Sequence, residues 1–477
     1  MDLSATLPVT LTRPQRGSIR GGGAALSAWT LGFALVAYLA MRDGGYATIV
    51  RSEVGIAIWW IILLGALAGV IPLRFGRPGW LAIGLLAGFA VWTGIASTWS
   101  ESAESSVVEL GREAAYLGFL VLAIALQGRA AARHTINGVA CSIGLVTVLA
   151  LLSRLHPQSF PVNVDFRFLG TDAGRRLSYP LNYWNALAAF VAIGVPLFIA
   201  QAIGARRTLT RALAAAMLPL SALCVYLTVS RGGVFELGVG LAVFMLLAPR
   251  RIEALTTVIL GAAGSTILVW AAEQRPAAQT GLRSAAAIHA GGELLVLAVV
   301  VCSGVALLQA AVSLAATTHR RPARLVFTRR ATTRATLVVG GLALIVALGV
   351  GVPAKLDHLW HQFIAPTGTV VPTSNANVID RLTAINGDGR YQYWVAAAHA
   401  FKQHPLGGIG PGTFQFWWAQ HATAPGPVLN AHSLYMETLA ETGMIGFVLL
   451  VGLLLFVMAV AIRRALREPD PIRLWVS

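Results

Sequence analysis

Residues 443–462 read GMIGFVLLVGLLLFVMAVAI, twenty positions without one charged side chain. An α-helix rises about 1.5 Å per residue, so about 20 such residues cross the roughly 30 Å hydrocarbon core of a bilayer. Residues 291–315, GGELLVLAVVVCSGVALLQAAVSLA, carry a single acid at Glu293. Working outward, further apolar runs fall at 24–41, 54–73, 79–97, 114–127, 136–153, 185–204, 212–229, 233–249, 254–272 and 336–353. The run at 114–127 is the shortest. Across 477 residues, 56% are hydrophobic and only 12% charged, with a mean hydropathy of +0.70. A water-soluble domain carries about 25% charged residues, so most of this chain belongs in lipid. The expected fold is all-α: a polytopic integral membrane protein with about twelve transmembrane helices and a large extracytoplasmic loop before the last one.

Orientation follows from the basic residues. With the N-terminus inside, 22 of the 36 Arg and Lys fall in short cytoplasmic connections and tails, such as Arg74/Arg77, Arg206/Arg207/Arg211 and the cluster Arg320 to Arg334. The remaining 14 are spread over longer connections on the other side, where Glu101, Glu104, Glu109 and Glu113 also lie. Basic residues favour the cytoplasmic side, so both termini are expected inside. The net charge of +16 thus punctuates apolar runs and does not indicate nucleic acid. Residues 1–23 hold Arg13, Arg16 and Arg20 and no small-residue cleavage site, so they read as a cytoplasmic tail. The expected organisation is a tail at 1–23, eleven membrane helices within 24–353, the large loop at 354–442, the last helix at 443–462 and a second tail at 463–477.

Cys141, Cys224 and Cys302 sit inside apolar runs without metal-ligand spacing, so neither a disulfide framework nor a zinc site is expected. Walker and dinucleotide loops are absent, as is an Asp-x-Asp pair to hold a metal on a diphosphate. No Gly-x-Ser-x-Gly elbow occurs. No cofactor or metal is expected, and any diphosphate must be neutralised by arginines.

Two loops stand out, at about 154–184 and 354–442. Long loops in compact proteins are commonly functional. The second contains an expected helix at 391–404, a Gly/Pro turn region at 405–412 and an expected helix at 431–441, capped by Asn430 and ended by Gly443. Three groups carry chemistry. Arg231 lies in Ser230-Arg231-Gly232-Gly233, where the glycines turn the chain between two apolar helices. A snorkelling arginine at a helix end is the plainer reading; a guanidinium beside headgroups also suits a lipid-linked phosphate, which it binds through parallel hydrogen bonds. Arg381 and Arg390 flank Gly387-Asp388-Gly389 and are followed by Tyr391, Tyr393 and Trp394. These are either surface charges of a solvated loop or a second anion site. His432 falls at the expected first turn of its helix, where the helix N-terminus disfavours the protonated imidazole. A neutral imidazole is what a general base requires. Glu437 and Glu441 lie four apart on one helix face, either solvated or orienting other groups.

His432-Ser433, nine residues and then Gly443-x-x-Gly446 resemble the histidine signature of the O-antigen ligase and polymerase superfamily. Ser230-Arg231-Gly232 resembles that family's Ser-Arg-Gly turn. Trp394, Pro405, Gly408, Gly410, Gly412 and Phe414 resemble the run before the histidine. Arg167, Gly170, Pro180, Asn182 and Ala186 resemble its first outside loop, with Asn185 an alternative for the asparagine. The resemblance spans about 165–450. The family's Arg-x-x-x-Leu motif is not clean, since Arg381 precedes Leu382 directly and Arg390 precedes aromatics.

The resemblance implies a glycosyltransferase in the bacterial cytoplasmic (inner) membrane. Its donor is a glycan on a polyprenyl-diphosphate carrier, and its acceptor a glycan, lipid or protein hydroxyl. His432 takes the acceptor proton, while Arg231 with Arg390 or Arg381 holds the diphosphate. Ser230, Gly232, Asn182 and Glu437 support these groups. A single displacement inverts the anomeric centre and needs no metal. A ligase leads, and a repeat-unit polymerase uses the same residues. A lipid-linked glycan transporter is the reading from another class; it calls for charges deep in helices or an internal repeat, and neither is evident.

Overall fold

The computed structural model describes residues 18–71, 73–125, 129–160, 175–318, 360–365, 382 and 387–467. All regular structure among these residues is helical. The helices are α1 (Ser18–Met41), α2 (Thr48–Leu67), α3 (Arg77–Ala96), α4 (Ala103–Ala125), α5 (Arg129–Leu155), α6 (Trp184–Gly204), α7 (Thr208–Thr228), α8 (Arg231–Leu247), α9 (Arg251–Glu273), α10 (Pro276–Gln279), α11 (Ala285–Thr318), α12 (Arg390–Gln403), α13 (Phe414–His421) and α14 (Leu434–Arg467).

Eight of them (α2, α3, α5, α6, α7, α9, α11 and α14) are long and apolar enough to cross a membrane. The protein is therefore a multi-pass membrane protein. The expected number of about twelve is not reached among the described residues, for identifiable reasons. The apolar stretch of α1 is short, at Leu26–Met41, and α8 has only 17 residues. Helix α4 carries Glu104, Glu109, Arg112 and Glu113. The run at 336–353 lies outside the described residues.

Helix α7 is the hub. Leu223 and Leu227 of α7 are buried with Leu151 and Leu155 of α5, Leu187 and Val191 of α6, Leu268 of α9 and Leu294 of α11. The opposite faces turn apolar side chains outward: Leu307 is 71% exposed and Val296 65%. That arrangement suits a lipid solvent, which exerts no hydrophobic penalty on leucine. A second bundle joins α2 to α4 through Ile58, Ile62 and Leu122. Helix α14 packs on α3 through Phe89, Leu86 and Leu453. A third, small core of Ala397, Ala400, Phe414, Trp418, Ala431 and Ala440 ties α12, α13 and the start of α14 together.

Helix α14 is broken within its length. Gly443 has φ 66° and ψ −165°, outside the helical region. A side chain there would meet the Leu406 carbonyl oxygen at 2.2 Å, so glycine is required by both conformation and space. The break frees carbonyls of the preceding turn, and each has a donor. Ala440 O accepts from Ile409 N–H and Glu441 O from Gly410 N–H, both at 2.9 Å. Thr442 O accepts from the Trp92 indole at 2.8 Å.

Candidate functional site

Ser230 is the N-cap of α8. Its hydroxyl accepts from Gly233 N–H at 3.1 Å, which satisfies one of the free N–H groups of the first turn, and it donates to Asn185 Oδ1 at 2.7 Å. The sharp turn is made by Val229 at φ 52°, three residues before the first of the glycines expected to make it. Gly232 and Gly233 are helical. Gly233 serves close packing, since a Cβ there would lie 2.3 Å from that of Ala188. Asn185 reaches the Ser230–Arg231 turn. Asn182 donates its amide to Asp43 instead, because at φ 54° it belongs to the turn preceding α6.

Arg231 is the first residue of α8, and Arg390 is the first residue of α12. Arg231 reaches the turn that precedes Arg390. Arg231 Nη2 lies 2.8 Å from Asp388 Oδ2, and Asp388 (φ 47°) and Gly389 (φ 80°) form the turn that starts α12, where Arg390 N–H donates to Gly387 O at 2.9 Å. A helix N-terminus favours negative charge, and the Asp388 carboxylate, in the turn before α12, lies against the guanidinium that opens α8. Arg381 and Arg167 lie outside the described residues.

His432 precedes the helix instead of opening it. Helix α14 begins at Leu434, and Ser433 is its cap: the hydroxyl accepts from Met436 N–H at 3.4 Å. Asn430 Oδ1 accepts from His432 N–H at 3.2 Å. It thus shapes a local turn that holds His432 at φ 50°, competing with its use as a helix cap. The His432 ring remains accessible and lies 5.6 Å, centroid to centroid, from Tyr393, one turn into α12. Tyr393 is held in turn by an edge contact with Trp418 at 5.0 Å. The pKa of His432 is lowered, first by partial burial and then by the charge of Arg390. The tyrosine pKa is raised by burial and by the Asp388 carboxylate. Neutral imidazole and neutral phenol therefore face each other within electrostatic reach of Arg390.

Two glutamates fix the loops around this point. Glu437 Oε2 accepts from Ala431 N–H at 2.9 Å, one residue before His432. Buried Glu441 accepts from Gly412 N–H at 2.9 Å and Phe414 N–H at 3.0 Å. Asp388 and Tyr393 are the site residues whose place sequence reasoning did not assign. The signal for Asp388 was an acid between two glycines and two arginines; for Tyr393 it was a spacing of three from Arg390 on a helix. Among the described residues, no three His, Cys, Asp or Glu side chains converge to hold a metal ion.

The described residues thus form a multi-pass membrane protein with Arg231, Asp388, Tyr393 and His432 gathered at helix ends and loops. A family model described as O-antigen ligase matches residues 215–451, which takes in Arg231, Asp388, Arg390, Tyr393 and His432. The chain belongs to the O-antigen ligase superfamily, membrane enzymes of ligase and polymerase type that handle lipid-linked glycans. Neither the curated proteins nor the solved structures contain a match to the chain.

Proposed function

We propose that the protein transfers a glycan from a polyprenyl-diphosphate carrier to an acceptor hydroxyl at the outer face of the bacterial cytoplasmic membrane, with both termini inside. The observation that supports this reading is the chain of neighbours that links Arg231 through Asp388 to Tyr393, His432 and Arg390. Two guanidinium groups at two helix starts suit the two phosphates of the carrier, and charge-assisted pairs of this kind are the strong ones. The diphosphate displaces Asp388 from Arg231. His432, neutral and accessible, accepts the proton of the acceptor O–H. The acceptor oxygen forms a bond to the anomeric carbon, the bond from that carbon to the carrier phosphate breaks, and the electron pair leaves on the diphosphate. The arginines stabilise charge as it develops there. Attack from the face opposite the leaving group inverts the anomeric centre. Ser230, Gly232 and Glu437 hold the two arms of the site in place, and Asn185 takes the role expected of Asn182. Arg381 remains an alternative to Arg390 for the diphosphate.

Ligation and polymerisation use this same chemistry and differ in the acceptor. The deciding experiment is the size of carrier-linked glycan accumulating in cells whose only copy is His432→Ala. Long polymers on the carrier mark ligation as the missing step. Single repeat units mark polymerisation, and an unchanged profile removes His432 from the reaction.

A further inference from the structure

Tyr393 sits one turn into α12, its N–H donating to Gly389 O at 3.2 Å. Its ring is held by two neighbours. Trp418, 1% exposed, is fixed by its indole N–H on Gly426 O at 3.0 Å. It meets the phenol ring edge-on, at 5.0 Å and 85°. The His432 ring lies 5.6 Å away, at 41°. A phenylalanine would make both contacts, so packing does not account for the hydroxyl. That hydroxyl makes no hydrogen bond among the described residues and is not one of their enclosed polar atoms. Buried tyrosine hydroxyls usually find a partner; this one, on a half-buried ring, is left open.

Asp388 and Arg390 are the charged groups that act on the hydroxyl, and Trp418 and neutral His432 add no charge. Asp388 is the carboxylate on Arg231, at 2.8 Å. The hydroxyl therefore lies at the turn where an incoming anion exchanges with Asp388. Partial burial and the Asp388 carboxylate oppose ionisation of the phenol, so it keeps its proton and can donate. A donor beside Arg390 suits a phosphate oxygen. The acceptor O–H needs a proton acceptor, which His432 supplies.

We infer that the Tyr393 hydroxyl donates a hydrogen bond to a phosphate oxygen of the leaving diphosphate. The inference rests on the transfer reading above and adds a neutral donor to its arginines. The bond tightens as the anomeric bond breaks and charge moves onto the diphosphate; the proton stays on the phenol, and the diphosphate leaves ionised. The test is kinetics of the purified full-length protein, read as release of polyprenyl diphosphate, with donor and acceptor extracted from cells lacking the protein. The variants are Tyr393→Phe and a protein with 3,5-difluorotyrosine at position 393. Tyr393→Phe keeps both ring contacts, so thermal unfolding in detergent should match the wild type while kcat falls about 10- to 100-fold and donor KM changes little. Fluorination lowers the pH at which the phenol ionises, and a phenolate repels a diphosphate. The basic limb of kcat should therefore move to lower pH, a shift that a ring needed only for packing would not give. Wild-type kcat in Tyr393→Phe, or an unmoved basic limb in the difluorotyrosine protein, overturns the inference. So does a loss confined to acceptor KM, which assigns the hydroxyl to the acceptor. His432→Ala in the same assay tells the two levels apart. If it is active, the mechanism beneath the inference falls; if it is inactive while Tyr393→Phe matches the wild type, only the role of the tyrosine falls.

Discussion

Arg231 and Asp388 are 157 residues apart in sequence and 2.8 Å apart in space. The pair closes the site across the two arms of the protein, the membrane bundle through α8 and the late loop through α12. The carboxylate stands on the guanidinium that is proposed to take a phosphate. Both side chains are partly exposed, at 29% and 48%, and exposed pairs contribute about 0–1 kcal/mol. Asp388→Asn should therefore lower the KM for the carrier-linked donor by up to about fivefold, with kcat little changed. A steady-state titration of donor checks this, and a raised KM would mean that Asp388 shapes the loop more than it competes.

Arg231→Lys keeps the charge and loses the parallel pair of donors. Hydrogen bonds to charged groups contribute about 1.5–3 kcal/mol, so kcat/KM should fall roughly 10- to 100-fold. Retention of wild-type kcat/KM would show that a point charge suffices and that the phosphate lies elsewhere.

His432→Ala should reduce transfer about 10²- to 10⁴-fold, the usual range for a positioned general base, in a protein of unchanged thermal stability. The pH profile gives a second reading. The base must be neutral, and its pKa is lowered, so the acid limb of kcat/KM should lie below the ordinary histidine value of about 6.5. Arg390→Gln removes a positive neighbour, so the limb should move up in pH. An acid limb indifferent to Arg390 would place the titrating group elsewhere.

Glu437 holds the Ala431 N–H, and an unpartnered N–H costs about 1–3 kcal/mol. Glu437→Ala should lower activity through a displaced His432 loop. Glu437→Gln, which keeps an acceptor oxygen, should restore most of it. If Gln fails as badly as Ala, the charge of Glu437 matters and the hydrogen bond does not explain its role.

Gly443→Ala should destabilise the protein by at least about 2 kcal/mol, since it combines a strained backbone with a collision against backbone. Thermal unfolding in detergent measures it. A full-strength Gly443→Ala protein would mean that the break in α14 relaxes at little cost.

The apolar runs located most of the membrane helices because hydropathy is a local property that the bilayer enforces residue by residue. It mislocated 54–73, observed at Thr48–Leu67, because the first turns of α2 carry Arg51 and Glu53 near the helix end, where charged side chains are tolerated. The helix at Arg390–Gln403 was legible from its pattern and the Gly-Asp-Gly turn before it. Partners across the chain were not legible. Nothing local distinguishes Asn182 from Asn185; only the fold brings one to Ser230 and the other to Asp43. The cap of α14 was misplaced by three residues because Asn430 and Ser433 both have cap chemistry. The left-handed backbone at His432 decides between them.

The break at Gly443 also decides which part of the site stays still. Its released carbonyls are taken up by the Ile409–Gly410 backbone and by Trp92 of α3, and Trp99, just beyond α3, donates to Gly408 O at 3.2 Å. The histidine thus rides on a bracket bolted to the bundle, and does not sit on a flap. Donor and acceptor have to be carried to it. A change that loosens the bolts, such as Trp92→Phe, should cost turnover while leaving substrate affinity in place.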